Sequence, residues 1–339
     1  ILPGLVLAPT LSELAWTSSW AAGGAVVATL AVLLVFLVTS KRPLPRILIM
    51  TAVGFAVALL FRLANGPDLM LTQLLVEVLI TIFFALSLWI LPTKLPHASP
   101  ESPRAGRLAR GLLAVLAGIG AAAWVAGLST STPDDRVATF VREVAPAIAK
   151  GDNLVNVVLT DVRSLDTLME TIVVVLGAFG VVGLLKGRER STRRDAETHA
   201  RAASPLTSGL LPGLAKAILP IGVLFALIML LKGHNDAGGG FVAGLSLGVT
   251  GMLGMAAFGP QRFERPLRAS FSGLAVFGCG LMLVTGALGW ITGRPYLTQL
   301  HGELSIGGLS MPLHTTLIFD VGVMLAVAGA IGAAGHALW

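Results

Sequence analysis

The sequence predicts an all-α fold: a polytopic integral membrane protein with about nine transmembrane helices. Three observations carry that reading. Hydrophobic residues make up 55% of the 339-residue chain and charged residues only 12%, against roughly 25% charged in a soluble domain, and the mean hydropathy is +0.83. Nine apolar stretches each have the roughly 17 to 25 residues that a hydrocarbon core about 30 Å thick requires. Finally, 16 of the 24 lysines and arginines follow the first, third, fifth or seventh stretch. The positive-inside rule makes that side cytoplasmic, with the N-terminus outside and Trp339 inside. The net charge of +6 then belongs to cytoplasmic loops and does not point to nucleic acid. Glycine, at 40 residues, fits helices packed through small faces. The single cysteine, Cys279, excludes an intrachain disulfide.

In chain order, residues 1–19 read as a lead-in from upstream polypeptide, because the chain opens on Ile1 and lacks the basic start of a signal peptide. The expected spans are 20–38, 46–63, 69–91, 112–128, 168–186, 211–231, 240–258, 270–292 and 311–334. Two cytoplasmic linkers, 93–111 (rich in proline, serine and charge) and 188–207 (strongly charged), leave segments of three, two and four helices over 20–92, 112–187 and 208–339. The long outer segment 129–166 contains a helix start at Thr132, Pro133 and Asp134, with Val137, Phe140, Val141 and Val144 on one face. That face suits either a membrane surface or a partner protein.

Four polar constellations interrupt the apolar background. In the third span Gln73, Glu77 and Thr81 recur at i, i+4 and i+8, one stripe of oxygen-bearing side chains. A charged residue at the bilayer centre costs roughly 2.5–3.5 kcal/mol even on insertion scales, so Glu77 is expected to face protein or water. Asp68 begins the same helix, with Arg62 near enough for an interfacial ion pair. In the second constellation, DVRSLDTLMET, Asp166 and Glu170 are four apart and Asp161 precedes them. Like charges at that spacing repel unless one is protonated or a cation intervenes. Thr167 and Thr171 add oxygens of the kind hard cations prefer. The third, LKGHNDAGGGF, sets Lys232, His234, Asn235 and Asp236 before three glycines and a helix start. It lacks the ending of a phosphate loop, its lone histidine argues against zinc, and it reads as a tight turn with a titratable group. The fourth places Asp320 inside the last span, with Thr316 one turn earlier and His314 near the outer side. Lys216 is one candidate partner for Asp320, and snorkelling to the cytoplasmic surface is the other account of that lysine.

GHNDAGGGF followed by FDVGV resembles the MnhB/MrpB subunit of Mrp-type sodium/proton antiporters and its relatives in membrane-bound hydrogenases. GPDLMLTQLLVEVLI and NLVNVVLTDVRSLDTLMETIVV resemble two successive C-terminal segments of the large MrpA subunit. The resemblance implies an MrpA C-terminal region fused to MrpB, in a prokaryotic plasma membrane. Its partners would be the upstream MrpA region and small MrpC- to MrpG-like subunits. By motif position the family's intramembrane carboxylates fall on Glu77 and Glu170. The family's GHNxPGGGF carries Ala237 here in place of proline, and Ala243-Gly244 replaces a glycine pair.

The expected function is therefore cation/proton exchange by a secondary transporter subunit, not enzymatic catalysis, and no cofactor is implied. Glu77, Asp161, Asp166 and Glu170 are the candidate transient sodium ligands. Asp68, Gln73, Thr81, Lys216, His234, Asp236 and Asp320 join them along the ion path. The alternatives are the membrane arm of a hydrogenase- or complex I-like redox pump, whose iron–sulfur centres would lie on other chains, and a scaffold that docks other subunits.

Overall fold

The computed structural model describes residues 20–40, 42–90, 111–113, 115–120, 123, 135–143, 145–192, 210–264, 270–306 and 309–338. The lead-in 1–19, most of both linkers, residues Thr132, Pro133, Asp134 and Val144, and much of the expected fourth span lie outside them. The helices are α1 (Trp20–Thr39), α2 (Pro43–Leu63), α3 (Pro67–Ile90), α4 (Asp135–Glu143), α5 (Ala145–Ala149), α6 (Leu154–Val157), α7 (Ser164–Thr192), α8 (Leu210–Lys232), α9 (Gly240–Phe258), α10 (Pro260–Glu264), α11 (Phe271–Ile291) and α12 (Thr315–His336). A π-helical turn, Val158–Val162, links α6 to α7, and a hairpin of β1 (His301–Ile306) and β2 (Leu309–His314) precedes α12. Among the described residues seven helices are long and apolar enough to cross a membrane: α2, α3, α7, α8, α9, α11 and α12.

Local chemistry sets the helix ends. Proline opens both α2 and α3, where its missing N–H costs nothing. Between them Asn65 takes a left-handed φ of 59°, and the Ala64 and Gly66 N–H groups return to Leu60 and Phe61. This turn folds α3 back along α2. The Ser270 side chain caps α11 by accepting from the Gly273 N–H at 3.0 Å. α7 continues to Thr192, beyond the expected end of its span. Lys, Arg and Glu in KGRERST are good helix formers and carry the helix past the apolar stretch.

The core is organised around α12. Of its most apolar window 78% is buried, against 61% for α9 and 11% for α2 and α3. α9, α11 and α7 pack directly on α12, α8 lies on α9, and α3, paired with α2, also packs on α9. Phe319, Val323 and Val327 of α12 meet Met252, Met255 and Met282 in one buried cluster. Contact this close depends on small residues. A Cβ on Gly329 would meet the backbone of Ala275 and lie 2.7 Å from the Phe271 carbonyl oxygen. Large apolar side chains on the outer helices are exposed, Leu184 and Ile291 to about 80%, as expected of surfaces that meet lipid or neighbouring subunits.

The hairpin corrects one boundary. Hydropathy starts the last span at residue 311, but 309–314 pair with 301–306 and the helix starts at Thr315. Pro312 faces Glu303 across a two-stranded ladder, where a residue without an N–H is tolerated because the strand has a free edge.

We expect Gly329→Ala to cost about 1–3 kcal/mol through overpacking and to lower the apparent melting temperature of the detergent-solubilised protein. Gly280→Ala, where no neighbour lies within 4 Å, should leave that temperature unchanged.

Candidate functional site

Four connections meet at one end of the bundle: the α2–α3 turn, the segment from Lys150 to Arg163, the α8–α9 loop and the β-hairpin. Asn153 fastens the first three. Its side-chain oxygen accepts from the N–H groups of Val155 (3.1 Å) and Asn156 (3.3 Å), capping α6. Its amide donates to the carbonyls of Gly233 (3.0 Å) and Asp236 (2.8 Å) and reaches Asp68 at 3.4 Å. Asp68 in turn accepts from the Gly238 N–H at 2.9 Å, so the carboxylate at the start of α3 holds the glycine loop. Gly239, at φ 100°, occupies a region that only glycine enters freely, and a Cβ there would lie 2.7 Å from the Asn156 side-chain oxygen.

The loop's histidine belongs to a chain of titratable groups. His234 Nε2 lies 2.8 Å from the Ala149 carbonyl oxygen and must donate to it. Its ring stacks on His314 with centroids 5.4 Å apart. His314 Nδ1 lies 3.0 Å from His301 Nδ1, and His301 Nε2 lies 2.9 Å from an Asp161 carboxylate oxygen. The His301 and Asp161 side chains are only 11% and 7% exposed. Thr160 donates to the second Asp161 oxygen at 3.2 Å, and Thr316 reaches the first at 3.4 Å. Burial pushes the Asp161 carboxyl above its ordinary value, opposed by the neighbouring His301 and His234. Burial pushes the His314 imidazole down, aided by His301, His234 and Lys150.

Asp161 points at His301 because it lies in the π turn, where the Arg163 N–H returns to the Val158 carbonyl at 2.7 Å. One extra residue per turn re-aims the side chain, and such turns concentrate at functional sites. Below it, Asp320 is 4% exposed at the start of α12, with the Gly240 N–H and the Asn156 side chain beside its carboxyl. His234 Nδ1 is a buried atom without a protein hydrogen-bond partner.

A separate polar locus lies between α2 and α3. Glu77 is buried at 7% exposure, and its carboxyl occupies the space over Gly54 that a Cβ would fill. One turn on, the Thr81 and Thr51 hydroxyls lie 2.6 Å apart, and Thr81 also donates to the Glu77 carbonyl at 2.8 Å. Gln73, one turn before, is half-buried.

Several expectations change. Lys216 is exposed and lies sixteen residues before Lys232, so about 24 Å of helix separates it from the end where Asp320 sits. It is not the partner of Asp320. The cation that Asp166 required is Arg163, which pairs with it across one turn, both side chains well exposed. Glu170 is exposed, whereas Thr167 donates to the Leu159 carbonyl at 2.7 Å and the Thr171 hydroxyl is buried and unpaired. Asp236 pairs with Lys232 at 2.7 Å, which holds its carboxyl below the ordinary value. The candidate sodium ligands Glu77, Asp161, Asp166 and Glu170 therefore occupy different surroundings. Among the described residues no three of His, Cys, Asp and Glu converge as a metal site. His301, Asn153 and Asn156 join the site from the structure and not from the sequence. The signal for His301 was the run Ile306-Gly307-Gly308-Leu309, two apolar ends separated by two glycines, which marks a hairpin.

Asn153→Ala should remove the α6 cap and leave the buried Gly233 carbonyl and the partly buried Asp236 carbonyl without that donor, a loss of about 2–4 kcal/mol. Thermal unfolding of the purified protein checks this, and Asn153→Asp, which keeps only the cap, should fall between the two.

Three family models match the chain in succession: MbhD, one of the MBH subunits, over residues 28–93; MbhE, another MBH subunit, over 105–202; and the domain related to the MnhB subunit of Na+/H+ antiporter over 210–333. The chain is 30% identical over 310 residues to a probable K(+)/H(+) antiporter A/B subunit of Rhizobium meliloti, covering 85% of this chain and 31% of the relative. It is 30% identical over 162 residues to a Na(+)/H(+) antiporter A subunit of Bacillus subtilis, covering 47% and 20%. A chain in the "Structure of Mrp complex from Dietzia sp. DQ12-45-1b" superposes with a TM-score of 0.78 at 33% identity, covering 93% of this chain and 34% of that one. The chain thus spans less than a third of the length of these curated relatives. With MbhD-, MbhE- and MnhB-type regions in order and a fold shared with an Mrp complex, the chain belongs to the family of Mrp/Mnh-type antiporter A and A/B subunits.

Proposed function

We propose that this chain is a membrane segment of a multisubunit monovalent cation/proton antiporter in a prokaryotic plasma membrane, exchanging sodium for protons. The observation that carries the reading is a pair of carboxylates, Glu77 and Asp320, buried inside apolar helices of a chain whose relatives are named as antiporter subunits. An uncompensated carboxylate at membrane depth is costly, and an ion path gives it a purpose. Protonation and sodium occupancy compete for one carboxyl group, and that competition couples the two ions. Asp161, Asp166 and Glu170 extend the path along α7, with Asp68, Gln73, Thr81, His234 and Asp236 flanking it. Lys216 serves its cytoplasmic end.

In this reading the chain crosses the membrane nine times with its N-terminus outside, and the segments 20–92, 112–187 and 208–339 act as units. The partners are the upstream MrpA region and small MrpC- to MrpG-like subunits, which cover the exposed apolar faces of the outer helices. A second reading, the membrane arm of a redox-driven pump, draws on the MbhD and MbhE matches. Co-purification with iron–sulfur subunits would decide for it.

Glu77→Gln in the whole complex should abolish sodium-dependent proton flux in membrane vesicles, at least tenfold, while every subunit still co-purifies. Gly54→Leu should reproduce the loss by displacing the Glu77 carboxyl. Wild-type flux in Glu77→Gln would leave only the scaffold reading.

A further inference from the structure

His301 begins the first strand of the hairpin and His314 ends the second, and the two pair directly in register at its open end, which brings two imidazoles and a carboxylate into one line. We propose that His314, His301 and Asp161 form a proton relay that loads the intramembrane carboxylates from the loop end of the bundle. This assigns to the hairpin the proton branch of the exchange and rests on the antiporter reading given above.

The hydrogen-bond inventory constrains the relay. With Asp161 ionised, His301 Nε2 carries the hydrogen that Asp161 Oδ1 accepts across 2.9 Å. In a neutral ring His301 Nδ1 is then a lone pair, so His314 Nδ1–H must be the donor across 3.0 Å. That leaves His314 Nε2 unprotonated and ready to take a proton. When it does, His314 passes its Nδ1 hydrogen to His301 Nδ1, and His301 passes its Nε2 hydrogen to Asp161. One proton enters at His314 Nε2 and one leaves as the Asp161 carboxylic hydrogen. Both rings end neutral with their tautomers exchanged, and they must return to the starting tautomers before the next transfer.

The surroundings suit transfer in this direction. His234, stacked on His314, is tied by its Nε2–H to the Ala149 carbonyl. It has no hydrogen bond to either relay ring and acts as a positioning residue. Lys150 and His234 bear on His314 and oppose its holding a proton, while burial keeps Asp161 ready to accept one. Thr160 and Thr316 hold the two Asp161 oxygens. Thr316 lies one turn before Asp320, and the Asn156 side chain stands beside the Asp320 carboxyl. Across the loop, Asp68 is held by Gly238 and Asn153, and Asp236 by Lys232; neither touches the relay.

The test uses the whole complex in vesicles under a sodium gradient, with proton flux followed from about pH 6 to 9, the range that brackets imidazole titration. His301→Ala and His314→Ala are expected to lower the flux at least tenfold, most strongly at alkaline pH, with all subunits present. Added imidazole should restore a substantial part of it. Flux and pH profile equal to wild type in both variants would overturn the relay. So would a loss that imidazole does not relieve in an assembled complex, because that marks a structural role. If the alanine variants do not assemble, His301→Gln and His314→Asn, which retain side-chain hydrogen bonding, take their place; failure of these to assemble also overturns the proposal. Absence of sodium-dependent flux in the wild-type complex overturns the antiporter reading and the relay together. Wild-type flux that Glu77→Gln abolishes but neither histidine variant changes overturns the relay alone.

Discussion

The side chain of Asn153 satisfies two helix N–H groups, two loop carbonyls and an edge of Asp68 at once. At a membrane boundary irregular backbone is tolerated only where its polar groups find partners, and here a single amide supplies several of them. Because α3, α6 and the α8–α9 loop are tied to one residue, the π turn is fixed against α12 and the hairpin. The position of Asp161 follows from that tie, and so does its contact with His301. The polar end of the bundle is a connected network, in which the loss of one member leaves others unpaired.

Beneath that network the architecture is set by proximity. α12 lies so close to α11 that backbone meets backbone at Gly329 and Gly278, and close approach of this kind drives association where lipid removes the hydrophobic incentive. The same closeness places the start of α9, at Gly240, against Asp320. A buried carboxyl in α12 is thereby met by the N–H end of a neighbouring helix, an arrangement that only a glycine at that position allows. Packing and polar satisfaction are one feature at this point.

How much of the site is legible in the sequence depends on the range of each interaction. Glu77 and Asp320 stand out because a carboxylate in an apolar run is conspicuous, and both are indeed buried. The cation needed beside Asp166 is only three residues away, as Arg163, so a transported ion is not required there. Pairing Asp320 with Lys216 fails because both are intramembrane in composition yet sit near the starts of helices that begin at opposite ends of the bundle, a difference that counting 1.5 Å per residue exposes. His301 cannot be tied to Asp161 from pattern alone, since 140 residues separate them and no period links a strand to a π turn. Asn153 lies inside a recognisable motif, but its role as a fastener depends on the three-dimensional meeting of loops distant in sequence.

By inserting a residue into the helical count, the π turn Val158–Val162 sets the angular phase of Asp161 relative to everything before it. Regularising the turn to ordinary i→i+4 bonding would swing that carboxylate by about 100° around the axis, away from the imidazoles. Orientation is thus stored in the register of the main chain and not in the reach of a side chain, so a slip of one hydrogen bond would suffice to make or break electrical contact between hairpin and helix.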